Sequence, residues 1–147
     1  AMPLVALTGV GLIVATTLLH YETLSLLTRL LERLRWHGRA KLVVALLGCF
    51  VGHGAEILLY GLGYWLLITS AGHGTLGGSV QPDLASALYF SAETYTSLGF
   101  GDVVPSGAVR LLAGVETLNG LLLIGWSGSF LYLEMERYWK RSRGPGR

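Results

Sequence analysis

Residues 96–102 read Thr96-Ser97-Leu98-Gly99-Phe100-Gly101-Asp102. Glycines at 99 and 101 alternate with the larger Leu98 and Phe100. Glycine accepts positive φ, so alternate glycines allow successive peptides to turn their carbonyls to the same side. A row of carbonyls facing one way can replace the water around a dehydrated cation. The Ser97 hydroxyl can add a further oxygen layer at one end of the row.

The flanks fit a segment that dips into a membrane and returns. Upstream, Leu84–Ala92 is apolar but too short to cross a bilayer. Gln81-Pro82-Asp83 marks its helical start, with proline in the first turn. The expected helix runs to about Tyr95, and Pro105 follows the heptapeptide. A short re-entrant helix is tolerated only where protein or a water-filled cavity surrounds it.

Three longer stretches can span. Pro3–Leu19 has no charge across 17 residues; Leu42–Ser70 holds only His53 and Glu56; Leu111–Leu133 holds only Glu116. The chain is 52% hydrophobic and 14% charged, against about 25% charged in soluble domains. It reads as an all-α membrane protein: three transmembrane helices, a re-entrant pore helix and the 96–102 strand. The net charge of +2 gives no global basic field, so no nucleic-acid partner is expected and the partner is the lipid bilayer. Ala1 ahead of Met2 reads as a cloning scar. The N-terminal apolar run lacks a basic n-region and a cleavage site, so a retained helix is expected rather than a signal peptide.

Basic residues set the expected topology. Five lie in Tyr21–Lys41 (Arg29, Arg33, Arg35, Arg39, Lys41) and five at the end (Arg137, Lys140, Arg141, Arg143, Arg147), leaving only Arg110 elsewhere. Three spans put both clusters on one side. We therefore expect both to be cytoplasmic, with the N-terminus and 71–110 outside a multi-pass protein of the inner (plasma) membrane. The leucines of Tyr21–Lys41 recur at helical spacing, which reads as an amphipathic helix. The expected units are 1–41, the first span and basic connector; 42–141, the pore domain; and a disordered tail, 142–147.

With these flanks, the heptapeptide resembles the selectivity filter of the potassium-channel pore family, Thr-Thr-Val-Gly-Tyr-Gly-Asp, over about Leu42–Tyr138. The closest form is a small bacterial channel with one pore loop per chain, here with an added N-terminal helix. The resemblance implies that Thr96–Gly101 form the filter, with K+ ions held at Ser97, Leu98, Gly99 and Phe100. Glu93 falls at the family's buried acid behind the filter and Asp102 at its partner. Tyr89 and Phe90 take the aromatic positions that brace it. The family also implies a homotetramer, passive K+ permeation, no organic cofactor and no enzymatic activity. Ser97 replaces the usual threonine, and Phe100 lacks the tyrosine hydroxyl.

Other residues leave alternatives open. Glu116 and Asn119 share a face of the last helix, either behind the filter and along the ion cavity or in ordinary packing. Gly120 and Gly125 are candidates for a gating bend or for close helix contact. His53 and Glu56 are one turn apart inside a span: a paired glutamate, a pH sensor or, less well, a metal site. Ala45, Gly48, Gly52 and Ala55 form a small-residue packing stripe. Gly9-Val-Gly11 is explained by helix packing better than by a dinucleotide site. Cys49 reads as a buried hydrophobe. Tyr132, Tyr138 and Trp139 beside basic residues read as an interfacial anchor. Two other functions compete: a non-conducting regulatory or sensor subunit with a retained pore fold, and an ion-coupled transporter using His53 and Glu56.

Overall fold

The three charge-poor stretches form three long helices in a computed structural model that describes residues 2–78 and 83–144. They are α1 (Met2–Arg33), α2 (Gly38–Ala71) and α4 (Val109–Ser142), each long and apolar enough to cross a membrane. Between α2 and α4 lie strand β1 (Gly74–Gly78), helix α3 (Leu84–Tyr95) and strand β2 (Val103–Gly107). The protein is thus an all-α membrane protein of the expected class, with one small addition.

That addition is a two-stranded antiparallel sheet. Gly74 pairs with Gly107 and Gly78 with Val103, so β1 closes on the segment after the filter. The segment that supplies β1 is rich in glycine. Its pairing is non-local and its composition lacks the β-branched residues that mark strands. The Thr75 and Ser106 hydroxyls meet across the ladder.

α1 does not stop where its charge-free run stops. It continues unbroken to Arg33, so the amphipathic stretch extends the first span. The chain then breaks over 34–37, and α2 begins at Gly38, which places Arg39 and Lys41 inside α2 rather than in a connector. α2 ends at Gly72, whose φ of 60° caps it in the left-handed region. α3 is capped at its start by Asp83, whose carboxylate accepts from the Ser86 N–H at 2.8 Å. The Ser86 side chain's hydrogen bond, backed by this backbone one, holds the Asp83 carboxyl below its ordinary range. Gln81 and Pro82, expected in the helix start, lie outside the described residues. So do residues 145–147 of the expected tail; its first residue, Ser142, ends α4.

Aromatic and aliphatic residues from every element join in one core, including Tyr60 and Tyr64 of α2, Phe90 and Tyr95 of α3 and Leu112 of α4. The small-residue stripe of α2 receives α1: Gly48 lies against Leu27 and Gly52 against Thr23. Cys49 packs with Leu24 and Leu27 as a buried hydrophobe. Gly9 lies against Leu112 and Val115 of α4, which is the packing role expected of it. α1 is not apolar around its whole circumference. Thr16 and His20 are fully buried polar residues on one face, four residues apart.

Candidate ion-conducting site

α3 aims its C-terminal end at the heptapeptide. Thr96 caps the helix, with its N–H and hydroxyl both donating to the Ala92 carbonyl at 3.2 and 2.8 Å. The Ser97 N–H donates to the Thr94 carbonyl at 3.1 Å and the Gly99 N–H to the Glu93 carbonyl at 3.2 Å. Thr117 of α4 also donates to the Thr94 carbonyl, at 3.3 Å. The filter's own N–H groups thus turn back and satisfy several of the helix's last carbonyls.

Positive φ occurs at Ser97 (62°), Gly99 (55°) and Gly101 (80°), and at neither Leu98 nor Phe100 between them. The left-handed alternation expected of the two glycines thus extends one step further, onto serine. An L-residue there costs about 1–2 kcal/mol, and nothing in the sequence signals it. Residues 96–101 are all exposed on the chain, with Leu98 56% and Phe100 69% accessible.

The flanking residues are placed as follows. The Tyr89 hydroxyl donates to Asp102 Oδ2 at 2.9 Å; that acceptor pushes the phenol up to about 12. Glu93 is buried. Burial raises its carboxyl above the ordinary range, and the negative charge of Asp102 beside it raises it further. Tyr89, Glu93 and Asp102 therefore form one cluster beside the strand. Phe90 stands apart from it. Its ring packs edge-on against Tyr64 of α2, centroids 5.1 Å apart, so within the chain it braces the helix and not the filter.

On α4 the expected pore face divides. Glu116 is fully buried and accepts from Ser91 of the pore helix at 2.6 Å and from Tyr64 at 2.9 Å. It packs behind α3. Asn119, offered as a cavity residue, is buried among the helices instead. Its amide donates to Thr16 of α1 and Tyr60 of α2, each at 2.8 Å. A side chain committed to two interior partners is not presented to an ion path. Gly120 gives close contact, not slack: a Cβ there would lie 2.3 Å from the Tyr95 carbonyl oxygen. At Gly125 a Cβ would meet nothing within 4 Å.

His53 and Glu56 belong to a larger polar cluster. Glu56 Oε1 lies 2.5 Å from His20 Nδ1 of α1, and Oε2 lies 2.9 Å from His53 Nδ1. Tyr95 donates to Oε2 at 2.5 Å, and Ser127 of α4 bridges both imidazoles. Glu56 is therefore paired, and two of its partners, His20 and Tyr95, were missed. The available signal was His20 four residues after Thr16, on the same helical face. The donor atoms of His20, His53 and Glu56 lie within 4.8 Å of one another, a spacing a metal ion could use.

The family profile described as "Ion channel" matches residues 55–134, from the middle of α2 through the filter and most of α4. The chain therefore belongs to the ion channel family, as a member of its potassium-channel pore-domain group. A 56-residue stretch is 43% identical to "Two-pore potassium channel 1" of Arabidopsis thaliana. That stretch is 37% of this chain and 14% of the plant protein's length. No solved structure matches. The chain is thus a multi-pass membrane protein of an ion channel family, and that family is not one of enzymes.

Proposed function

We propose that the chain is one subunit of a homotetrameric channel that passes potassium selectively and passively. The observation that carries this reading is the Ser97–Gly101 backbone: left-handed at alternate residues and exposed on a chain sheathed in apolar side chains. In a lone chain that polar strand would face hydrocarbon, where each unsatisfied backbone group costs several kcal/mol. Around a fourfold axis the same strands face one another and water. A dehydrated potassium ion calls for about eight oxygens, supplied by carbonyl rings above and below it. One strand per chain offers one oxygen per layer, so four chains complete each ring.

The cargo ions would sit at the carbonyls of Ser97, Leu98, Gly99 and Phe100, with the Thr96–Ser97 end toward the cavity. Residues 42–141 would be the pore unit and 1–41 an added unit at the rim. The basic clusters favour cytoplasmic 21–41 and C-terminal segments, an external N-terminus and residence in the cell's inner membrane. Phe100, Asp102 and the β1–β2 hairpin would then stand at the outer mouth.

The test is ion flux from liposomes holding the purified protein, together with its native mass. Potassium efflux well above sodium efflux and a four-chain mass are expected. A two-chain mass, or equal flux of the two ions, refutes the proposal.

A further inference from the structure

Away from the filter, a dense polar cluster lies where all four helices meet, with His20 and Glu56 buried and His53 half-buried. α1 supplies His20, α2 supplies His53 and Glu56, the last turn of α3 supplies Tyr95, and α4 supplies Ser127. The two imidazoles are stacked, with centroids 4.7 Å apart and planes 29° apart. Along one edge both Nδ1 atoms meet the Glu56 carboxyl, at 2.5 Å for His20 and 2.9 Å for His53. Along the other, both Nε2 atoms meet the same Ser127 Oγ, each at 2.8 Å. Tyr95 donates to Glu56 at 2.5 Å and lies 2.7 Å from His53 Nδ1.

The hydrogens can be counted. An ionised carboxylate only accepts, so each Nδ1 facing it carries a hydrogen, and a neutral imidazole then has a bare Nε2. One hydroxyl has one hydrogen to give, so Ser127 cannot serve two bare Nε2 atoms. A single extra proton closes the count. One Nε2–H donates to Ser127 Oγ, and the Ser127 hydroxyl donates to the other Nε2. Glu56 and the extra proton then cancel, which leaves a neutral cluster in an apolar interior. The count is unchanged if the proton moves along the 2.5 Å contact onto Glu56, or if the Ser127 hydroxyl turns and the rings exchange roles.

The surroundings do not alter this balance. The other titratable groups facing the cluster are Cys49 and Tyr60 on α2, Tyr95 on α3 and Glu116 on α4. Cys49 is packed against Leu24 and Leu27, Tyr60 accepts from Asn119, and the Glu116 carboxyl is taken up by Ser91 and Tyr64. Among the described residues no lysine or arginine forms a salt bridge to Glu56. A metal ion fits the arrangement less well. Two ligands of a tetrahedral ion with bonds of about 2.0–2.1 Å stand about 3.3 Å apart, whereas His20 and Glu56 touch at 2.5 Å.

We infer that His20, His53, Glu56 and Ser127 form a binding site for one shared proton, and that its occupancy governs the filter through Tyr95. The link is short: Tyr95 holds Glu56 through its hydroxyl, and its backbone carries Thr96 next in the chain. Removing the proton leaves one Nε2 without a donor unless His53 moves its hydrogen to Nε2 and the Tyr95 hydroxyl turns from Glu56 to His53 Nδ1, 2.7 Å away, which breaks the Tyr95–Glu56 bond. The site stands on its own geometry; its effect on conduction rests on the channel reading above.

Two readouts on the full-length protein separate these. The first is nitrogen NMR of histidine-labelled protein from about pH 5 to about pH 9, where imidazoles change charge. His20 and His53 are expected to shift together through one transition, and Ser127→Ala is expected to split it. Separate titration in the wild type, or a Ser127→Ala variant that matches it, overturns the site. The second is potassium flux from liposomes over the same range. The wild type is expected to change about tenfold with a one-proton slope, equivalent to about 1.4 kcal/mol, and His20→Gln to stay flat. A His20→Gln profile that follows the wild type overturns the coupling; if that variant fails to fold, Ser127→Ala serves, with a shallower profile expected. No flux at any pH, with the joint titration intact, supports the proton site and refutes the channel reading.

Discussion

Replacing Gly99 by alanine tests the filter backbone directly. Gly99 has φ +55°, and a Cβ there would meet no atom of the chain within 4 Å. Space is not the obstacle, so the penalty is conformational. An L-residue in the left-handed region costs about 1–2 kcal/mol, and Ser97 already carries a cost of that kind at φ 62°. A four-chain ring holds four such alanines in one filter, so the ordered strand loses about 4–8 kcal/mol against any relaxed backbone. At about 1.4 kcal/mol per tenfold change, the ordered filter becomes at least roughly a thousandfold rarer. The spans are untouched, so Gly99→Ala should insert and assemble like the wild type and lose its preference for potassium. Flux from liposomes with potassium or sodium inside reads the preference; circular dichroism and native mass read the fold. A correctly assembled variant with unchanged potassium preference would refute the carbonyl-strand reasoning.

Gly120→Ala and Gly125→Ala separate close packing from slack in α4. A Cβ at Gly120 would lie 2.3 Å from the Tyr95 carbonyl, so that variant should lose about 1–3 kcal/mol per chain from overpacking, whereas Gly125→Ala should gain up to about 1 kcal/mol of helix propensity; equal melting temperatures would contradict this. Glu93 binds its proton more tightly in the folded protein than in the unfolded chain, because burial and Asp102 raise it. Stability should therefore fall as pH rises from the ordinary glutamate range of about 4.3 through the raised value. Glu93→Gln should flatten that decline in melting curves, and parallel declines in both proteins would count against the coupling. Arg35 lies exposed in the break between α1 and α2; Arg35→Cys should react with an impermeant thiol reagent only from the cytoplasmic face, and labelling from outside would invert the topology.

The sequence made some features legible and hid others for physical reasons. Charge-free runs announce spans because charge in hydrocarbon is costly, and α1, α2 and α4 lie where those runs lie. The alternation of Gly99 and Gly101 shows where positive φ is needed, but Ser97 adopts it with no compositional mark. Helix faces were harder to read. In lipid the outer face is as apolar as the inner one, so periodicity does not reveal which way a polar residue turns. Asn119 therefore suited a cavity as well as a core, and His20 at the edge of its run attracted no notice. The hairpin escaped because strand pairing between Gly74–Gly78 and Val103–Gly107 is set by tertiary contact and not by the local sequence.

That hairpin has a mechanical consequence. β1 follows α2 after two residues, 72 and 73, and β2 precedes α4 by one, 108. The ladder thus clasps the two helices at one end and closes the pore helix and filter into a tethered ring of chain. A clasped pair of rods can pivot but cannot part at the clasp. Any separation of α2 from α4 would therefore be largest at their opposite ends, where Gly38 now lies against Tyr138.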